Sequence, residues 1–246
     1  APYQEIFDEI PYTGMSTGQP CDQYAWYYPE PVARPRATLA GMVTALDAYV
    51  GDIVRMLKQR GIADNTLIVF TSDNGPHDEG GGDPKFFRAA APYQGMKRDL
   101  FDGGIHVPMI VHWPAAIKKG RVDETPWTFA DVLPTFADLA GVPLTSVPRV
   151  TTNGTSMLPR LSDSPTSISE RTLYWEFGKQ VGDPNSGIVG DVYQAARRGK
   201  WKAVRYGKEA PVQLFNLDED PGETKDLSGS QSKIHAEFTR LFEEHS

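Results

Sequence analysis

The run Ser72-Asp73-Asn74-Gly75-Pro76-His77 sets a carboxylate beside a carboxamide carbonyl. Two hard oxygen donors of this kind suit Ca2+ or Mg2+ better than the softer transition metals. About twenty residues on, Lys97 and Arg98 stand together in GMKRDLFDGGIHVP. An ammonium at that place can reach an anionic oxygen held near the cation. A cation site and a fixed positive charge side by side are the means of binding and polarising an oxyanion. Each part has a plainer reading: Asp-Asn-Gly is a common turn, and a Lys-Arg pair is commonly solvated surface. The elements that carry the residues decide between the two.

Residues 1 to 35 are rich in Pro, Tyr and Gly and keep no period, so they predict an irregular opening segment. Pro35 opens a helix whose apolar positions, Leu39, Met42, Val43, Leu46, Tyr49, Val50, Ile53 and Leu57, recur at three- and four-residue steps until Gly61. This helix is expected to pack its stripe against a partner. TLIVFT, residues 66 to 71, is β-branched and aromatic without alternation and predicts a buried parallel strand. Ile105 to Trp113 predicts a second strand, at an edge or bulge because of Pro108. TFADVLPTFADLA, 128 to 140, predicts a helix stopped by Gly141. The fold class is therefore α/β, doubly wound, and in open parallel sheets ligands collect beyond the carboxyl ends of strands. Asp73 and Asn74 sit at such an end, which favours the functional reading.

From about residue 160 the pattern shortens to TLYWEF, AARRGKWKAVRYG and VQLFNL, a small antiparallel sheet, with a helix over Lys233 to Glu244 packing back through Ile234, Phe238, Leu241 and Phe242. Residues 1–162 and 163–246 are expected as two domains. The chain has 246 residues with 25 Lys+Arg against 32 Asp+Glu and a net charge of -7, which argues against nucleic acid or an anionic membrane as partner. No uninterrupted apolar run suggests a membrane span. The single cysteine, Cys21, excludes an internal disulfide and any multi-cysteine zinc site. Nothing sets an oligomeric state.

NTLIVFTSDNGPHDEGGGDPKFF followed by GMKRDLFDGGIHVPMIVHWP strongly resembles the type I sulfatases, the arylsulfatase family of the alkaline phosphatase superfamily. RATLAGMVTALDAYVGDIVRMLKQRGI upstream and FADVLPTFADLAGV, LYWEF and LFNLDEDPGETKDL downstream resemble further landmarks of that family in the same order. The resemblance implies a partial sulfatase or alkaline-phosphatase-like sheet with a small C-terminal antiparallel subdomain. It implies that Asp73 and Asn74 hold calcium, that Lys97 contacts a sulfate oxygen and the nucleophile, and that His77, in the form NGPHxEGG, lies close to the sulfate. Asp102 and His106 stand where the family has glutamate and arginine; both are expected to affect packing around the loop.

The family's nucleophile is a formylglycine made within C/S-x-P-x-R, and no such pentapeptide occurs here. The alignment is therefore expected to be with a C-terminal half, with formylglycine and further metal aspartates belonging to earlier segments. The isolated chain is expected to be catalytically silent and to bind calcium weakly. The resemblance implies a small-molecule or carbohydrate sulfate ester as substrate and a periplasmic, secreted or lysosomal type of setting. Two alternatives stand beside it: a phosphate or phosphonate ester hydrolase of the same superfamily, and a non-catalytic binding fragment. Tyr12, Tyr24, Trp26, Tyr27 and Tyr28 either line the substrate pocket or pack a surface loop.

Overall fold

The computed structural model describes residues 3, 7, 11, 32–178 and 192–245. Cys21 and the aromatic residues of the opening segment lie outside the described residues. The rest forms two compact units, one of residues 1–52, 71–108 and 174–246, the other of 53–70 and 109–173.

Helix α1 runs Pro35–Gln59, as its period predicts, and Gly61 follows with a φ of 67° that an L side chain adopts only with strain. The expected partner for its apolar stripe is a point of correction. Only Pro35 and Ala37 are buried, while Met42, Val43, Leu46, Tyr49, Ile53 and Met56 are exposed among the described residues. By length and composition α1 also meets the test for a membrane-crossing helix, which a search for uninterrupted apolar runs passes over because Asp47 and Asp52 break them. Its apolar positions fall on one stripe, which is the pattern of a helix laid on a protein surface.

In the second unit, β1 (Ile68–Thr71) pairs with β2 (Met109–His112) in a two-stranded sheet. β1 is half-buried where full burial was expected, because nothing among the described residues covers both faces of a two-stranded sheet. The second strand is also shorter than expected. Residues Asp102–Ile105 form a helical turn, α3, closed by the His106 amide on the Asp102 carbonyl at 2.7 Å, and Pro108 with no N–H stands just outside the ladder. Two short helices complete the set of local elements: α2 (Pro84–Phe87) and, after a turn over Phe129–Asp131, α4 (Val132–Leu139), which Gly141 ends at a φ of 69°. The fully buried Asp131 organises the start of α4: it accepts the Thr128 amide at 2.7 Å and the Thr155 amide at 2.8 Å and pairs with Arg171 through both oxygens. Burial alone would raise its pKa, and the Arg171, Thr155 and Thr128 hydrogen bonds lower it instead.

The first unit holds a four-stranded sheet of order β3 (Thr172–Gly178), β4 (Val192–Arg198), β5 (Trp201–Tyr206) and β6 (Gln213–Asn216). β4, β5 and β6 are antiparallel neighbours, with Ala195 opposite Val204 and Ala203 opposite Leu214. AARRGKWKAVRYG thus folds as a hairpin, with Gly199 at the first central position of a two-residue turn and a φ of 57°. Alternation gives the sheet two apolar faces. Ala196, Ala203 and Leu214 pack against Phe238 and Phe242 of α5 (Ser232–Glu244). Ala195, Val204 and Phe215 pack against Leu100, Phe101 and Ile105, so the segment that follows Lys97 lies on the face opposite α5.

Candidate active site

β1 ends at Thr71, and the turn that follows is built by its own side chains. The Ser72 hydroxyl donates to the Asn74 carbonyl at 3.0 Å, the Asn74 amide donates to Asp73 Oδ1 at 2.9 Å, and Asn74 Nδ2 donates to the Gly75 carbonyl at 2.8 Å. Asp73 Oδ2 and Asn74 Oδ1 accept no hydrogen bond among the described residues, leaving two hard oxygen donors for a cation. No group of three or more His, Cys, Asp or Glu side chains able to hold a metal occurs among the described residues. The donor pair fits calcium in kind and supplies part of a shell.

The next residues press directly on the Lys97 segment. The Gly75 amide donates to the Gly104 carbonyl at 2.8 Å, and the Lys97 amide donates to the Pro76 carbonyl at 2.9 Å. A Cβ on Gly75 would lie 1.9 Å from the Gly103 carbonyl oxygen, and one on Gly103 would lie 2.3 Å from that of Gly95. Glycine at both places is what lets the two backbones touch. These contacts hold the backbone that follows the Asp73-Asn74 turn against the backbone at Lys97 and at Gly103 and Gly104.

The side chains meet on Glu79, which is only 12% exposed. Lys97 Nζ lies 3.1 Å from its Oε2, the Arg98 guanidinium bonds Oε1, and His77 Nδ1 stands 3.5 Å from Oε2. Burial would raise the Glu79 pKa, but the hydrogen bonds and charges of Arg98 and Lys97 outweigh it and lower the value, keeping the group ionised. His77 Nδ1 is buried and makes no hydrogen bond of good geometry among the described residues. Arg98 has a φ of 79°, a left-handed conformation that an arginine holds only where its surroundings impose it. Glu79 had no role assigned from sequence, although it is the Glu of NGPHxEGG; an imidazole two residues away and two cations eighteen and nineteen residues away are no local signal.

A second charged group lies under the same loop. Lys202 of β5 is fully buried, with Nζ 2.5 Å from Asp102 Oδ1 and 2.8 Å from Glu223 Oε1, and Glu223 Oε2 accepts the Asp102 amide at 2.5 Å. Burial would raise the Asp102 pKa, yet the His106 hydrogen bond and the Lys202 charge pull it down to about 2. Burial pushes Glu223 up. His106 Nδ1 stands 3.1 Å from Asp102, and its ring stacks on Tyr93 at 4.4 Å. The Tyr206 hydroxyl accepts the Leu100 amide at 2.8 Å. The C-terminal sheet thus grips residues 100 to 102, just beyond Lys97, from below.

Residues 5–142 match the sulfatase family model, more than half of the chain, and residues 95–245 match the model described as N-sulphoglucosamine sulphohydrolase, C-terminal. The chain belongs to the sulfatase family. It is a type I sulfatase chain of the alkaline phosphatase superfamily. Arylsulfatase K of Danio rerio is 27% identical over 215 residues, covering 86% of this chain and 37% of that protein. Choline-sulfatase of Rhizobium meliloti is 34% identical over 201 residues, covering 81% and 34%. Among solved structures, Ps i-CgsB in complex with k-i-k-neocarrahexaose has a TM-score of 0.70 and 31% identity, over 93% of this chain and 47% of that one. Phosphonate monoester hydrolase of Agrobacterium radiobacter has a TM-score of 0.61 and 26% identity, over 85% and 40%. This sulfatase chain therefore spans less than half the length of these relatives, and its α/β part is a partial alkaline-phosphatase-like fold.

Proposed function

We propose that this chain supplies the calcium-ligand turn and the charge-stabilising lysine of a sulfuric ester hydrolase acting on a carbohydrate sulfate ester. The observation that carries the reading is the 2.9 Å bond from the Lys97 amide to the Pro76 carbonyl, which puts the ammonium-bearing segment against the Asp73-Asn74 turn. Asp73 and Asn74 would hold the cation, which when bound polarises sulfate oxygens. Lys97 offsets negative charge as it redistributes over those oxygens in the transition state. His77, whose Nδ1 stands 3.5 Å from the Glu79 carboxylate, has its other ring nitrogen, Nε2, left to donate to sulfate or to the leaving oxygen. The match to the C-terminal model of N-sulphoglucosamine sulphohydrolase and the likeness to Ps i-CgsB in complex with k-i-k-neocarrahexaose support a sugar as the esterified group.

These 246 residues contain no C/S-x-P-x-R, so the nucleophile is expected from elsewhere and the chain by itself is expected to show no turnover. In a polypeptide joining this chain to that motif, Lys97→Ala is expected to lower kcat for an aryl sulfate by about 10²- to 10³-fold, the usual cost of one lost charge-stabilising donor. Calcium removal is expected to abolish the activity and calcium readdition to restore it. Activity retained in Lys97→Ala and insensitive to chelation would refute the reading. The likeness to a phosphonate monoester hydrolase favours one second reading, an ester of phosphorus in the same site. Paired assays on sulfate, phosphonate and phosphate esters separate the two.

A further inference from the structure

We propose that Glu79 is a specificity-determining residue, a built-in counter-charge that matches the anion site to a singly charged ester and against a doubly charged one. The inference rests on reading the Lys97 cluster as the ester-binding site. A sulfate monoester carries one negative charge, and so does a phosphonate monoester, whereas a phosphate monoester carries nearly two above its second pKa near 6. Lys97 and Arg98 alone would present two positive charges. Glu79 takes one of them back while touching both: one oxygen faces Lys97 at 3.1 Å and the other bonds Arg98.

Three features mark Glu79 as a fixed charge of the site. Its side chain is largely buried and both oxygens are engaged, so it is not placed to take a proton from substrate. Its neighbours keep it ionised. The fold also spends backbone strain on the arrangement, since Arg98 reaches Glu79 from a left-handed conformation, while the loop that carries Glu79 closes with Gly82 so near His77 that a Cβ would lie 2.9 Å from the His77 carbonyl oxygen. One fixed anion between the two cations lowers the positive charge they present by one, and at a separation of a few ångströms that change acts more strongly on a doubly charged ligand than on a singly charged one.

The test is the ratio of affinities for 4-nitrophenyl phosphate and 4-nitrophenyl sulfate, measured by titration calorimetry on the full chain at about pH 8 with calcium present. Using the ratio cancels any change in side-chain order that affects both ligands alike. Glu79→Gln is expected to raise the phosphate-to-sulfate ratio by about tenfold or more, allowing for salt screening. Arg98→Gln removes a charge of opposite sign and is expected to move the ratio the other way by a similar factor, so the pair of variants controls for misfolding of either one. A ratio unmoved by both variants, while Lys97→Ala still weakens both ligands, overturns the charge-matching role and leaves the site reading intact. Failure of the unsubstituted chain to bind either ester, or binding indifferent to Lys97→Ala, overturns the site reading and this inference with it.

Discussion

Replacing Lys202 with methionine tests how the C-terminal sheet holds the site loop. The Lys202 side chain is fully buried and lies 2.5 Å from Asp102 and 2.8 Å from Glu223. Methionine keeps the apolar stem and removes the ammonium, leaving two carboxylates facing one another away from water. Breaking a buried pair by removing one partner costs about 3 to 5 kcal/mol, most of it the penalty of the orphaned charge. Lys202→Met is therefore expected to lose about 4 kcal/mol at neutral pH in urea denaturation followed by far-ultraviolet circular dichroism. The pH dependence carries the sign. In the unsubstituted protein Asp102 is held at about 2 against an ordinary 3.8, so folding favours its ionised form. At about 1.4 kcal/mol per pH unit this contributes about 2 to 3 kcal/mol, present above the ordinary value and lost as the pH falls toward the lower one. Glu223, raised by burial, runs the other way and opposes folding once the pH exceeds its ordinary 4.5. Without Lys202 both carboxyls rise, and a protonated one can donate to the other. The deficit should therefore shrink as the pH is lowered from about 7 to about 5. A loss under about 1 kcal/mol, or a deficit constant across that range, would refute the claim that this buried charge group pins the loop.

Gly75→Ala places a methyl 1.9 Å from the Gly103 carbonyl oxygen, so the turn must separate from the Lys97 segment; a loss of at least about 2 kcal/mol and weakened calcium binding are expected by denaturation and calorimetry. Phe242→Ala empties the centre of the contact between α5 and the sheet and should cost about 3 to 5 kcal/mol, read as a lower urea midpoint. Asp131→Ala strands the Arg171 guanidinium and two backbone amides, with an expected loss of about 3 to 5 kcal/mol; the double variant with Arg171→Met should recover part of it in the same measurement.

Local pattern was enough for α1, for the helix stopped by Gly141, for the small antiparallel sheet and for α5, because period, caps and turn glycines act within a few residues. It also put Asp73 and Asn74 just past the end of β1, since a strand end and the loop after it lie in one stretch of chain. What touches what was decided by the tertiary structure. The shortening of the second strand follows from Gly103 and Gly104 packing against backbone carbonyls of residues 94 to 99, which no propensity encodes. The uncovered stripe of α1 is invisible to a period, which tells which side is apolar and says nothing of what meets it. Glu79 became the hub of three basic side chains only when two loops closed on each other, and Lys202 met Asp102 across one hundred residues of sequence, with Glu223 on its other side. Sequence by itself determined which charged and oxygen-donor groups this chain carries in these loops, because residue type fixes charge and ligand hardness. Only the tertiary structure decided how those charges are balanced, because Coulomb energy depends on distance and burial, and folding sets both.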